Sequence, residues 1–188
     1  MTSNPIHLLD SGSFLALLAS ERLAQIAASL DLRFAVTKRV ASATTHLYSV
    51  VDGQRGSREA VDFNAELRCG ALEILATPTA DELVMAFQLQ SHRGLGANAA
   101  LLIATAFLRN CTLVTDDARA VAVIHAEHLT IRLCTCLNLI CDYSERTSNA
   151  LENTALISNR LMLRGAFIAT VLCTVPRVPV MAIASENH

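Results

Sequence analysis

The chain has 188 residues, 52% of them hydrophobic and 17% charged, enough apolar material for one substantial core and a single domain over residues 1–188. Its 17 acidic and 15 basic residues leave a formal charge of -2, which excludes a general positive field for gripping a phosphate backbone and leaves only local basic patches. Mean hydropathy is +0.39, yet the longest apolar runs, around residues 99–108 and 165–175, fall short of the roughly 18–20 residues that cross a bilayer.

The first 30 residues open with IHLLD (6–10), an apolar run closing on a carboxylate, and continue with SGSFLALLASERLAQIAASL (11–30), which has helical periodicity. This reads as strand, tight turn, helix. RFAVTK (33–38) predicts a second strand and RVASATTHLYSVV (39–51) a second helix. The polar DGQRGS (52–57), with Gly53 and Gly56, predicts a mobile linker. A helix is expected over Arg58–Cys69, a buried strand in ALEILA (71–76), and a helix over Ala80–Gln90 entered through Pro78 with Thr79 as cap.

GANAALLIATAFLR (96–109) predicts an alanine-rich helix lying close against a sheet. CTLVTDD (111–117) then repeats the opening grammar of an apolar strand ending in carboxylates, followed by the helix ARAVAVIHAEH (118–128) and the strand HLTIRLC (128–134). From Thr147 a C-terminal helical region is expected to about residue 175, with Gly165 as a kink and an extended tail over 176–188, where VPRVPV forbids a helix. The best candidate for a membrane span, Gly165–Ala184, is interrupted by Pro176, Arg177 and Pro179, so no membrane association is expected. MTSNPIHLLDSGS has no basic leading region, and Asp10 breaks its apolar run; it is read as no signal peptide and the protein as cytoplasmic.

The six cysteines at 69, 111, 134, 136, 141 and 173 form no CxxC pair, which predicts buried free thiols. Cys134 and Cys136 would share one face of a strand and could hold a soft metal only if other ligands converged. His125 and His128 in HAEH are three apart, not at the HExxH spacing, and are expected to be surface or interface histidines, as are His46 and His92. No GxSxG, Gx4GK[ST] or GxGxxG element occurs, which argues against a serine hydrolase, a P-loop enzyme or a dinucleotide-binding dehydrogenase.

Strands alternating with helices predict an α/β fold with a central, mainly parallel sheet. Ligands bind such sheets beyond the carboxyl ends of the strands. Asp10 and the Asp116/Asp117 pair both fall there. Each also has a purely structural reading, Asp10 as a strand-end cap and Asp116 or Asp117 as a cap or dipole partner of the next helix.

IHLLDSGSFLALL together with GLGANAALLIATAFLRNCTLVTDDARAVAV resembles the PIN-domain nucleases, and among them the toxin ribonucleases of toxin-antitoxin pairs. The resemblance covers residues 5–141 as a PIN-like core. It implies a three-layer fold and Mg²⁺- or Mn²⁺-dependent endoribonuclease activity from carboxylates gathered at strand and helix ends. By resemblance Asp10 and Asp117 are the metal ligands, Asp116 is the alternative to Asp117, and Ser11, Ser13 and Thr115 are supporting hydroxyls. The second family acid falls on Ala43, which cannot ligate, and the third on Asn98, whose amide oxygen brings no charge.

Hydrolysis needs a metal-made hydroxide and charge compensation on phosphate oxygens, which clustered oxygen ligands supply. With two corners intact, one weakly held ion is expected. Glu59, Glu66, Glu73, Asp81 and Glu82 are the candidates for a compensating acid. Lys38, Arg39, Arg93 and Arg119, with Arg55 and Arg58 on the linker, are candidate contacts to an RNA backbone, with solvation as their plain alternative. Only two tyrosines, six phenylalanines and no tryptophan argue against a stacking platform for single strands.

The resemblance further implies a protein partner such as an antitoxin, and pairing into a homo-oligomer. The apolar helix after Thr147 is the expected surface for it. The competing reading is a catalytically inactive PIN-like scaffold or protein-binding subunit: a well-formed acidic pocket with a third carboxylate favours the enzyme, and an apolar or empty pocket beside Ala43 favours the scaffold.

Overall fold

The computed structural model describes residues 5–44, 46–147 and 150–166. Strands β1 (Ile6–Leu9), β2 (Arg33–Val36), β5 (Leu72–Ile74), β6 (Thr112–Val114) and β7 (Arg132–Cys134) form one sheet in the order β5-β2-β1-β6-β7. Every pairing in it is parallel. These strands are short and apolar because a parallel sheet is covered on both faces, and Leu8, Leu9, Phe34, Ala35, Val36 and Val114 are fully buried.

Right-handed crossovers put the helices in two layers. On one side lie α1 (Ser11–Ala19) and α2 (Leu23–Leu30), joined by α8 (Cys136–Arg146) and α9 (Ala150–Leu163). On the other lie α5 (Ala80–Arg93), α6 (Ala97–Leu108) and α7 (Ala118–Ala126). The expected α/β three-layer architecture with a C-terminal helical region is therefore present. None of the described helices is long and apolar enough to cross a membrane.

The segment expected as one helix over 11–30 is two. Glu21 takes φ 55 between α1 and α2, and its carboxylate receives Arg160 of α9 at 2.8 Å together with Arg164. The Ser20 hydroxyl donates to the Leu17 carbonyl at 2.6 Å and accepts from the Arg22 amide at 3.1 Å. Tertiary pairing thus stabilises a break that helical periodicity does not reveal.

The largest correction concerns residues 39–69. The expected helix over 39–51 is α3 (Lys38–Ala43) followed by β3 (His46–Val51), and the expected linker belongs to β4 (Gln54–Ala60), its antiparallel partner. Val51 pairs with Gln54, and Asp52 and Gly53 between them have φ of 49° and 73°, the paired left-handed residues of a type I′ hairpin. Asp-Gly after a β-branched pair was the legible signal. The expected helix over Arg58–Cys69 shrinks to α4 (Asn64–Arg68).

The hairpin is held by α9. The Tyr48 amide donates to the Arg164 carbonyl at 3.2 Å, and the Arg55 guanidinium donates to the carbonyls of Leu163 at 2.9 Å and Met162 at 2.6 Å. Gly165 ends the helix at φ 75, and a Cβ there would stand 2.8 Å from the Tyr48 ring. The expected kink is thus a glycine C-cap, with the Ala166 amide bonded to the Leu161 carbonyl at 3.0 Å. Residues 167–175 of the expected helical region and the tail 176–188 lie outside the described residues.

Candidate functional site

Strand order reverses between β1 and β6, so the carboxyl ends of these neighbours diverge into a crevice. A cleft of about 470 Å³ opens there. Its polar lining is Asp10, Ser11, Ser13, Asn98, Thr115, Asp116 and Asp117, and its apolar wall comes from Ala99, Leu102 and Ile103 of α6 with Leu113 and Ala120. Every residue expected to be catalytic or supporting is therefore gathered in one place.

Asp10 leaves β1 in extended geometry and caps α1, its Oδ1 accepting from the Ser13 amide at 2.6 Å. Its other oxygen accepts the hydroxyl of Thr115. That same hydroxyl accepts from the Asp117 amide at 3.1 Å, and the Thr115 amide is tied to the Cys134 carbonyl at 3.0 Å. One threonine therefore links the ends of β1, β6 and β7.

The two downstream acids divide their work. Asp117 is exposed and caps α7, its Oδ1 accepting from the amides of Arg119 at 2.9 Å and Ala120 at 3.3 Å. Asp116 is half-buried, and its carboxyl is pushed above its ordinary range first by burial and then by the negative charge of Asp10, against a hydrogen bond from the Cys136 backbone. Asp116 is therefore the acid that feels Asp10, whereas Asp117 is engaged as a helix cap.

Two buried polar atoms in the cleft lack a partner, the Ser13 hydroxyl and the Asn98 Oδ1. Buried groups of this kind normally signal an absent water, ion or ligand. With Asp10 and Asp116 they are the oxygen groups of the cleft that could contribute to holding a hydrated hard cation. They do not make the full acidic cluster. Ala43 is exposed on α3 and does not line the cleft, and among the described residues no group of three His, Cys, Asp or Glu side chains is arranged to hold a metal.

The candidate replacements are not cleft residues. Glu73 pairs with Arg33 at 2.6 Å, Glu82 binds Arg109, and Asp81 lines a separate groove. Glu59 lies on β4, and Glu66 on α4 keeps a buried, unpartnered oxygen away from the cleft. Cys134 ends β7 and Cys136 begins α8, so they do not share a strand face as expected. Burial and the nearby carboxylates push both thiols up, Cys134 to about 12, leaving them protonated rather than ligands for a soft metal.

The expected phosphate-contacting cations divide as well. Arg93 is bound to Glu127, Arg119 donates to the Gly94 carbonyl at 2.6 Å, and Arg55 caps α9. Lys38 and Arg39 are exposed at the start of α3. The apolar wall from α6 was the part of the site not identified from sequence, because alanine, leucine and isoleucine at helical spacing signal packing wherever they occur.

Among solved structures the chain is similar to PAE2754 from Pyrobaculum aerophilum, with 16% identity over 76% of this chain and 98% of that one at a TM-score of 0.47. It is also similar to a PilT N-terminus domain protein, SSO1118, from Sulfolobus solfataricus P2, at 15% identity, 73% and 92% coverage and a TM-score of 0.40. A third similar structure is VapBC2 from Rickettsia felis bound to a DNA fragment from its promoter, at 17% identity, 69% and 98% coverage and a TM-score of 0.41. No curated protein sequence matches. The family model described as PIN domain matches residues 7–125, a span that runs from β1 through the acidic end of β6 into α7, and the chain belongs to the PIN-domain family.

Proposed function

We propose that this protein is a PIN-domain binding subunit without autonomous nuclease activity, which keeps the family cleft but not its full acidic cluster. The observation that carries this reading is the composition of the cleft. Asp10, Asp116 and Asp117 come from two strand ends, Asn98 stands where the resemblance places a further acid, Ala43, the other such position, lies outside the lining, and no other acid enters. A phosphodiester in such a site would meet one weakly held cation at most, less charge compensation than a clustered pair of ions supplies. The partner is a protein of antitoxin type, a reading that rests on the sequence resemblance.

A second reading, a weakened Mg²⁺- or Mn²⁺-dependent endoribonuclease, is favoured by the unpartnered Ser13 hydroxyl and Asn98 oxygen. Here Asp10 and Asp116 would hold the ion, which supplies an acidified water and charge compensation when bound. Ser13 and Asn98 would orient water around it, and Thr115 would hold the two strand ends in register.

The discriminating experiment is cleavage of a mixed-structure RNA pool in excess Mn²⁺ by the full chain and by Asp10→Asn purified identically, both checked for folding by circular dichroism. The proposal expects equal background cleavage from the two. Cleavage present in the wild type and lost in Asp10→Asn overturns it and establishes the weakened nuclease. Asn98→Asp, which returns a carboxylate to the family position that lines the cleft, is expected to raise cleavage above background.

A further inference from the structure

Charge in the cleft is one-sided. Asp10, Asp116 and Asp117 enter its lining, and among the described residues no lysine, arginine or histidine does. The arginines closest to it along the chain are engaged elsewhere, Arg119 with the Gly94 carbonyl and Arg93 with Glu127. Two further groups of the lining lack a partner. Ser13 is 1% exposed and its hydroxyl makes no hydrogen bond, and the buried Oδ1 of Asn98 is likewise unbonded. An amide oxygen and ionised carboxylates can only accept. The cleft therefore calls for a ligand that brings positive charge and several N–H donors.

The rest of the lining is apolar. Ala99, Leu102 and Ile103 lie on one face of α6 and meet Leu113 and Ala120. A space of about 470 Å³ with an apolar wall and a few polar groups has the size and make-up of a small-molecule site. A hydrated hard cation answers the charge but not the wall, because it keeps much of its water shell. Among the described residues no three His, Cys, Asp or Glu side chains are arranged to hold a metal. An aliphatic ammonium answers both. Its head carries full charge and three N–H donors, and its methylene stem covers apolar surface.

We propose that the cleft binds a short aliphatic diamine. One ammonium sits among Asp10, Asp116, Ser13 and Asn98, the stem lies along the α6 wall, and the second ammonium reaches Asp117 at the exposed rim. Asp117 keeps an oxygen for that contact, because both of its cap bonds fall on Oδ1. Two positive charges then face three carboxylates, so neither end of the ligand lacks a counter-charge. The inference rests on the proposed function, since a catalytic ion would occupy the same acids.

Calorimetric titration of the full chain with 1,4-diaminobutane tests it, in metal-free buffer at about 150 mM salt to screen exposed charges. A Kd of about 100 µM or tighter is expected, within reach of a ligand of this size. 1,3-Diaminopropane, one buried methylene shorter, should bind about fourfold more weakly. 1-Butylamine, which has the stem and only one charge, should bind about tenfold more weakly or worse. Asn98→Leu removes an acceptor at similar bulk and should weaken 1,4-diaminobutane about tenfold, as should Asp10→Asn, with circular dichroism checking the fold of each. The Asn98 side-chain amide signal in NMR should shift as the diamine is added to the wild type.

No binding of 1,4-diaminobutane at about 1 mM, a weak limit on the affinity scale, overturns the proposal. So do equal affinities for 1,4-diaminobutane and 1-butylamine, and so does an affinity unchanged in both Asn98→Leu and Asp10→Asn, which would mark attraction to general surface charge. The proposed function fails separately. Asp10-dependent RNA cleavage overturns both readings, whereas background cleavage without diamine binding overturns this inference alone.

Discussion

Asp116 is the residue at which position and chemistry are most closely coupled. Its carboxyl is raised by burial first and by the charge of Asp10 second, so the folded protein holds a proton there more readily than the unfolded chain does. Folded-state binding exceeds unfolded-state binding between the ordinary value and the raised one, and stability therefore falls as pH rises through that window. Asp116→Asn is expected to raise the urea midpoint at pH 7, with the gain shrinking below the ordinary aspartate range. Asp10→Asn should move the Asp116 titration down in carboxyl NMR, because it removes the like charge while leaving the burial. An unchanged Asp116 titration in Asp10→Asn would mean that the two acids do not share a field.

At the scale of elements, α5 is fixed at its start by a capping box between Thr79 and Glu82. The Glu82 carboxylate, 1% exposed, also takes the Arg109 guanidinium at the end of α6. Arg109 is the main cause of its lowered pKa. Its contribution is present above the ordinary glutamate range and is lost as pH falls through the depressed folded value. Glu82→Gln is expected to cost about 2–4 kcal/mol in urea unfolding at pH 7, since it leaves Arg109 without its counter-charge. The hairpin offers a weaker test. Arg55→Ala removes the bonds to the carbonyls of Met162 and Leu163, so about 0.5–1 kcal/mol of stability should be lost. Faster amide exchange is expected in β3, β4 and the end of α9, and exchange unchanged there would show that the guanidinium does not hold the two together.

Across the whole molecule, the central strand carries a pH-sensitive group in His7. It is 9% exposed, with Nδ1 at 3.1 Å from the Pro5 carbonyl and its ring edge-on to Phe34. Burial lowers its pKa, helped by the charge of Arg132, while the Pro5 carbonyl opposes the shift. The unfolded chain takes up a proton before the folded one does, so stability drops as pH falls below about 6.5. His7→Gln should flatten that slope between pH 7.5 and 5.5 in urea denaturation. A slope equally steep in the variant would assign the acid sensitivity to other groups.

The sequence by itself determined the alternation of parallel strands and crossover helices, the capping of α5 by Thr79, and the carboxylates at the ends of β1 and β6. These features are local: apolar runs, helical spacing and cap residues act within a few positions, and two-sided burial of a parallel sheet leaves near-continuous hydrophobic strands. Asp-Gly at 52–53 was equally local, but the helical spacing before it obscured the hairpin. The tertiary structure alone decided that Glu21 breaks the first helix, because the reason is its pairing with Arg160 and Arg164 of α9, far along the chain. It alone separated Asp116, turned toward the field of Asp10, from Asp117, engaged in capping α7. It also brought Asn98 and the α6 wall to the cleft, while Glu73 and Glu82 became occupied with arginines elsewhere. Which carboxylates share a field depends on through-space distance and burial, and those are set only when the strand order closes.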